Sequence, residues 1–391
     1  MRKLFYEDIN LTDFTATVIS CEPVADKKQY RVLLDATAFF PEEGGQSADK
    51  GTLNNLPVLD MQIKNDFIYH YISEPIEPGT IVTGHVDWAQ RFDFMQQHSG
   101  EHIISGLVHE RFGYNNVGFH LSLNEVTLDF NGELTPAQIR EIELCANEII
   151  YQNLPVEITY PSKNELEHLS YRSKIEINGQ VRIVTIPGVD ICACCAPHVK
   201  TTGAIGIIKI IGCQSHRGGV RLNILCGARA LADYNKKQDS VTAVSVALSA
   251  KQDLIADAVQ KVKNDLFRQQ ERINALQAKY LDLCISNLPS SAETEHAVLF
   301  VDKMDTIALR NTVNQLSETY SGYCAIFSGE EENGYQFIVG SKEKDCNELA
   351  KLFRTEFGAK CGGNTTMIQG SVTAQKHQIL FLLNKETTTK H

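Results

Sequence analysis

His98-Ser99-Gly100-Glu101-His102 sets two histidines four residues apart in a proline-free stretch, Gln90 to Phe112, where Phe94, Met95, Ile103, Leu107 and Val108 recur at helical spacing. On a helix, positions i and i+4 share a face, so both imidazoles can reach one ion. Further along, Cys194-Cys195-Ala196-Pro197-His198 repeats the spacing with a softer donor. Either pair alone fits a surface or core residue, whereas together they point to one zinc site built from His98, His102, Cys194 and His198. Cys192 and Cys195 stand close enough to leave open which thiol binds, and buried or redox-active cysteines are the other readings. Glu101 raises a different possibility, because His-x-x-Glu-His is also the zinc signature of inverted-motif metalloproteases, with the glutamate as base. That reading needs a carboxylate ligand downstream and leaves Cys194 and His198 unexplained. Glu101 also lies about 100° around the helix from His102, where solvation is expected.

The chain of 391 residues, 43% apolar, can bury several cores, and its length favours two or three domains. No apolar run reaches the roughly 18 residues of a membrane span. Met1-Arg2-Lys3-Leu4-Phe5-Tyr6-Glu7-Asp8 lacks the apolar core and cleavage site of an export signal, so a soluble cytoplasmic protein with no membrane partner is expected. The 11 cysteines, an odd number with three crowded at Cys192, Cys194 and Cys195, read as thiols plus a metal site rather than a disulfide framework. A net charge of -11 argues against a protein that coats nucleic acid nonspecifically. Only residues 229–286 are net positive, so a nucleic-acid partner must be met by local patches and shape.

Outward from the histidine helix, the pattern predicts an α+β multidomain chain. Residues 1–89 read as a small β-barrel or sandwich, with strands such as Thr15 to Ile19 and Tyr30 to Leu34 punctuated by Pro and Gly. Within them, Thr37-Ala38-Phe39-Phe40-Pro41-Glu42-Glu43-Gly44-Gly45-Gln46 is either a tight turn or a loop whose glycines let a ligand approach the backbone, with Thr37 and Gln46 as polar partners. Residues 90–228 form an α+β domain: Glu125 to Phe130 as strand, Thr135 to Gln152 as a helix capped by Thr135 with Pro136 first, and Val181 to Ile186 as strand. Ile205 to Ile211 and Val220 to Leu225 follow as strands joined by the turn Gln214 to Gly219. In 229–286, Val241, Leu248, Ile255, Val262, Gln269, Leu276 and Leu283 fall seven apart with no Gly or Pro, which predicts one long helix of about 60 to 70 Å, a spacer or dimerisation arm. Residues 287–391 read as an α/β unit with strands at Ala297 to Asp302, Tyr323 to Ser328, Gln336 to Val339 and Gln378 to Leu383, and helices at Thr306 to Thr319 and Asp345 to Phe357. Between the last helix and last strand, a loop from Gly358 to Ser371 could cradle phosphates, although it fits no P-loop or dinucleotide fingerprint.

The loop Phe40 to Gln46, the His98/His102 helix, the Cys194/His198 turn running into Val199-Lys200-Thr201-Thr202-Gly203, and the glycine-rich carboxy-terminal loop occur in this order in alanyl-tRNA editing proteins, whose long free-standing form this chain resembles over nearly its whole length. The resemblance implies a barrel, a zinc-dependent editing domain, a helical arm and a carboxy-terminal α/β domain of the DHHA1 type. No resemblance to a class II aminoacylation domain is found, so synthesis of aminoacyl-tRNA is not expected. A synthetase pocket sized for alanine cannot repel glycine and rejects serine weakly, so a second site must hydrolyse the errors. The implied activity is therefore zinc-dependent deacylation of Ser-tRNA(Ala), and of Gly-tRNA(Ala). By the same resemblance Thr37 would recognise the serine hydroxyl, Gly44, Gly45 and Gln46 would line the pocket, and tRNA contacts would fall to Lys360, Gly362 and Gly363 and to Arg221. A homodimer through the long helix or the carboxy-terminal domain is also expected. The family turn Cys-Gly-Gly-Thr-His is replaced here by Cys194-Cys195-Ala196-Pro197-His198, without its glycines and threonine.

Overall fold

The computed structural model describes residues 1–25, 27–173 and 180–385, which form two compact units, Met1–Thr242 and Ala243–His391. None of its helices is long and apolar enough to cross a membrane.

The first unit opens with a seven-stranded sheet paired antiparallel throughout, in the order Leu56–Pro57, Gly51–Leu53, Ile81–Val86, Asp13–Pro23, Tyr30–Leu34, Phe67–Ile72, Asp60–Lys64. Its two ends are consecutive in sequence: only Val58 and Leu59 separate them, and their amides bond the carbonyls of Gly51 and Tyr71. The sheet therefore closes on itself, around Phe14, Val18, Val32, Leu34, Phe39, Leu53 and Val82.

Helix α1 (Trp88–Phe112) starts where the Asp87 carboxylate accepts from Gln90 N at 3.2 Å, and it stops at Gly113, whose φ of 71° ends the helix in the left-handed region. Helix α2 (Pro136–Gln152) starts on a full capping box between Thr135 and Gln138 with Pro136 first, as its sequence predicts. Both helices share a core with an antiparallel sheet ordered Asn116–Leu121, Val126–Phe130, Gly219–Cys226, Ile208–His216. A smaller sheet, Glu157–Thr159, Ile183–Ile186 and Asp190–Ala193, carries the chain into the cysteine turn. A short helix α3 (Lys163–His168) lies between the first two of its strands.

Two expectations need correction in this unit. The strand foreseen from Ile205 begins only at Ile208, because Thr202–Ile205 forms a 3-10 turn. The six-residue turn from Gln214 shrinks to Arg217 and Gly218, both at positive φ (46° and 82°), because Gln214, Ser215 and His216 stay in register with Arg221, Val220 and Gly219.

The predicted long helix is two: α4 (Gly227–Leu248), within which the two units divide, and α5 (Ile255–Ser286). Ser249 sits at φ 49° and the Ser249 and Ala250 amides turn back to the Val246 and Ser245 carbonyls, a left-handed cap formed without Gly, to which the Ser245 hydroxyl adds a bond to the Ala250 carbonyl at 2.5 Å. On α5 the heptad residues Val262, Leu276 and Leu283 are exposed, while Leu281 is the buried contact with the sheet below.

The second unit is a five-stranded sheet ordered Ala297–Val301, Cys324–Glu330, Gly334–Gly340, Met367–Val372, Lys360–Gly363, with only the first pair parallel. Helices α5 and α6 (Thr306–Leu316) cover one face, and α7 (Cys346–Phe357) and α8 (Lys376–Lys385) share the core of the other. Here too the sequence reading is corrected twice. Gln378 to Leu383 is helix rather than strand, because Ile379 and Leu383 bury at a spacing of four while Phe381 points outward. The loop from Gly358 to Ser371 is an antiparallel hairpin on the sheet edge.

Candidate metal centre

Helix α1 brings His98 and His102 to one side, and the turn after Asp190–Ala193 brings Cys194 and His198 to meet them; their donor atoms all lie within 4.8 Å of one another. The four residues expected from sequence therefore form one group that can hold a metal ion.

Each imidazole is fixed from behind. His98 Nδ1 lies 2.8 Å from Gln46 Oε1, His102 Nδ1 lies 2.8 Å from Asp190 Oδ2, and His198 Nδ1 lies 3.1 Å from Ser99 Oγ. Gln46 Oε1 and the Asp190 carboxylate can only accept, so His98 and His102 donate Nδ1–H to them and turn Nε2 to the cluster; His98 Nε2 and His198 Nε2 stand 3.5 and 3.3 Å from Cys194 Sγ. Outward N–H donation with inward lone pairs is the arrangement of metal-binding histidines, so the donor set fits a cation.

Electrostatics separate the three thiols. Burial opposes a charge on Cys194, yet His98 and His198 pull its pKa well below the usual thiol value. Burial pushes Cys192 up to about 11 and Cys195 higher still. Cys194 is thus the thiol of the three suited to ligation. Burial likewise drives His198 down to about 3, which keeps its ring neutral. His102 goes the other way: burial disfavours its proton, but Glu101 and the Asp190 hydrogen bond hold it well above the usual value.

The loop from the closed sheet reaches this centre through Gln46. Glu43 and Gln46 exchange backbone hydrogen bonds of 3.2 and 3.1 Å, with Gly44 and Gly45 between them at φ 63° and 82°. A Cβ on Gly45 would fall 2.4 Å from the Phe119 carbonyl, and one on Gly44 would meet Cys195 Sγ at 3.3 Å. Gln46 is fully buried; Oε1 serves His98, while its Nε2 finds no hydrogen-bond partner among the described residues. The loop is clamped by Asp49, which accepts from Arg91 of α1 and, at 2.6 Å, from Phe40 N. Thr37 stands apart from the ligand group: its hydroxyl lies 2.9 Å from His70 Nε2 in the sheet interior and accepts from Phe39 N at 3.2 Å. Burial lowers His70 to about 4, so that ring is neutral.

Several residues of the centre escaped the sequence reading. Asp190 follows the turn Pro187-Gly188-Val189, and Ser99 sits inside the histidine motif, but neither type at that spacing signals a role alone. Arg172 forks onto Asp190 at 2.7 and 2.8 Å, and Arg182 donates to the Cys194 and Ala196 carbonyls at 2.7 and 3.0 Å while lying over the Tyr6 ring. The Arg182 bonds hold the turn that lacks the family glycines. Glu101, expected in solvent, is buried, and its Oε2 lies 3.7 Å from His102 Nε2. The donors completing the histidine pair are a thiolate and an imidazole rather than a carboxylate, which is not the inverted-motif protease set. Of the residues expected to touch tRNA, Lys360, Gly362 and Gly363 lie on the edge strand, with Lys360 exposed, and Arg221 is held on Asp129 by two bonds of 2.6 and 2.7 Å.

Known proteins match along the same lines. The family described as threonyl and alanyl tRNA synthetase second additional domain matches residues 181–222, which hold the cysteine turn, and the class II (A) tRNA synthetases match residues 3–90, which hold the closed sheet. The alanine–tRNA ligase of Ignicoccus hospitalis is 27% identical over 98% of this chain, which spans only 42% of that ligase. A solved C-Ala domain of Aquifex aeolicus alanyl-tRNA synthetase aligns with 23% of the chain at 19% identity and a TM-score of 0.21, too slight a likeness to argue from. The alanyl-tRNA editing protein Aarsd1 of Mus musculus is 31% identical over 95% of this chain and 94% of its own length, and that of Rattus norvegicus is 31% identical over 100% and 99%. With such identity over the full length of both chains, this protein belongs to the alanyl-tRNA editing protein family.

Proposed function

We propose that this chain hydrolyses the aminoacyl ester of tRNA(Ala) mischarged with serine, and with glycine, at a zinc ion held by His98, His102, Cys194 and His198. The observation that carries the reading is the convergence of these four donors, each imidazole held from behind by a polar side chain, beside a buried Gln46 amide with a free N–H. It is supported by membership of a family whose named members are alanyl-tRNA editing proteins. When bound, zinc would supply a Lewis acid for the ester carbonyl or a site that orders the aminoacyl end.

The chain's own residues account for the rest. Gln46 holds His98 in its ligand tautomer and offers Nε2–H to an ester carbonyl oxygen, a donor that costs stability until an acceptor arrives. Thr37 spends its hydroxyl proton on neutral His70 and accepts from Phe39 N, so a serine hydroxyl would meet it as a donor to its remaining lone pair. The carboxy-terminal unit, through the edge carrying Lys360, Gly362 and Gly363, would contact the tRNA body, and a homodimer would use the exposed face of α5. Four protein donors describe a closed site, which favours a second reading, a tRNA-binding protein whose zinc is structural.

Deacylation of Ser-tRNA(Ala), Gly-tRNA(Ala) and Ala-tRNA(Ala), with and without a zinc chelator, separates the two. Zinc-dependent release of serine with Ala-tRNA(Ala) spared is the expected result. Binding of tRNA with turnover of none of the three would leave only the structural reading.

A further inference from the structure

The helix face that carries the two histidines carries a carboxylate as well. His98, Glu101, His102 and Ser105 fall at i, i+3, i+4 and i+7 of α1, one continuous stripe. Glu101 is only 1% exposed. Its Oε1 accepts from Ser105 Oγ at 2.8 Å and from Asn116 Nδ2 at 2.6 Å, and Asn116 Nδ2 also reaches Ser105 Oγ at 2.9 Å, so that oxygen is pinned in a closed triangle. The carboxylate therefore turns its Oε2 to within 3.7 Å of His102 Nε2, the nitrogen that faces the other ligands because Nδ1 is given to Asp190.

Three neutral imidazoles and one thiolate leave a bound divalent cation with one unit of positive charge, in a place where none of the three histidines is more than 2% exposed. Net charge in such surroundings is costly unless an opposite charge stands nearby. Asp190 stands behind the His102 ring, on Nδ1, and is shared with Arg172, which forks onto both of its oxygens; Glu101 is the carboxylate on the Nε2 side, facing the ligands. We propose that Glu101 is a positioning residue for the metal centre, staying outside the ligand set and offsetting the residual charge of the cation that His98, His102, Cys194 and His198 hold. The inference rests on the reading of those four residues as ligands, but not on any reaction at the centre.

The test compares the full-length chain with Glu101→Gln and Glu101→Asp. Glutamine keeps the shape and an acceptor for Ser105 and Asn116 and removes the charge, whereas aspartate keeps the charge and shortens the reach. Zinc affinity is read by competition with a chromophoric chelator, and melting temperature is read for stripped and zinc-loaded protein. Zinc affinity should fall roughly 10- to 100-fold in Glu101→Gln, the range for losing a partner that lies just outside a metal's ligands, and less in Glu101→Asp. The rise in melting temperature on adding zinc should shrink accordingly. A carboxylate with a merely structural role would instead lower the stripped and loaded forms equally and leave the zinc-induced rise intact, and that outcome overturns the proposal. Wild-type protein that takes up no zinc would remove the metal reading together with this one, whereas wild-type uptake with unchanged affinity in Glu101→Gln removes this one alone.

Discussion

Neutralising Asp49 tests the clamp that holds the Gln46 loop against the histidine helix. The side chains of Asp49 and Arg91 are almost wholly enclosed. Arg91 Nε donates at 3.0 Å to each Asp49 oxygen, Nη2 donates both to Asp49 and to the Ala38 carbonyl at 2.7 Å, and Nη1 reaches the Ile9 carbonyl at 3.4 Å. Asp49→Asn leaves a guanidinium buried among neutral acceptors with no counter-charge, a defect worth roughly 3–5 kcal/mol. For a unit the size of Met1–Thr242 each kcal/mol moves the melting temperature by about 2–4 °C, so its transition should drop by roughly 6–20 °C. Because Phe40 N and Ala38 O belong to the loop that carries Gln46, the contact to His98 loosens too, and zinc affinity should fall along with stability. Asp49→Leu combined with Arg91→Met removes both charges and should recover at least half the loss, since replacing a buried pair costs less than breaking it. Calorimetry on the three proteins, with chelator competition alongside, reads both effects. A single variant that loses less than about 1 kcal/mol, or a double variant no better than the single, would refute the reasoning.

Other outcomes follow from the same geometry. Cys194→Ser should abolish stoichiometric zinc in the purified protein while Cys192→Ala and Cys195→Ala keep it, and elemental analysis that finds the loss at Cys195 instead would reassign the ligand. Thr37→Val strands His70 Nε2 and should cost roughly 1–3 kcal/mol, slowing serine release more than glycine release; equal slowing of both would remove Thr37 from serine selection. His70, at about 4 when folded against about 6.5 when unfolded, binds its proton more readily in the unfolded chain, so stability should decline as pH falls from about 6.5 to 4. In His70→Gln that decline should be shallower in urea titrations across the same range, and an identical slope would count against a neutral buried ring. Removing residues 249–391 should weaken tRNA affinity and leave zinc affinity unchanged, and unaltered tRNA binding would place recognition in the first unit.

Much of the fold was legible because local rules acted alone. Thr135 and Pro136 start helix α2 where the side-chain cap and the fixed φ of proline dictate, and the apolar spacing from Phe94 to Val108 falls within helix α1. The failures came where a pattern fits two structures. Gln378 to Leu383 is an unbroken run that satisfies strand and helix alike, and only the core between α7 and the sheet selected the four-residue spacing of Ile379 and Leu383. The seven-residue repeat around Leu248 continues past Ser249, so the break is invisible to periodicity; it lies in the left-handed turn at Ser249, which no glycine announces.

At the centre, the sequence alone offered the candidate donors, two histidines on one helix face and a cysteine–histidine pair downstream, because imidazole and thiol are metal-binding groups whatever surrounds them. Which tautomer each ring adopts, which of three neighbouring cysteines carries a lowered pKa, and whether Glu101 is solvated or buried were decided only by tertiary structure. Gln46, Asp190 and Ser99 come from three distant places to set the rings, and Asn116 and Ser105 turn Glu101 inward. Hydrogen bonding and desolvation act between residues that are near in space, and nearness in space is what the folded chain adds to the order of its residues.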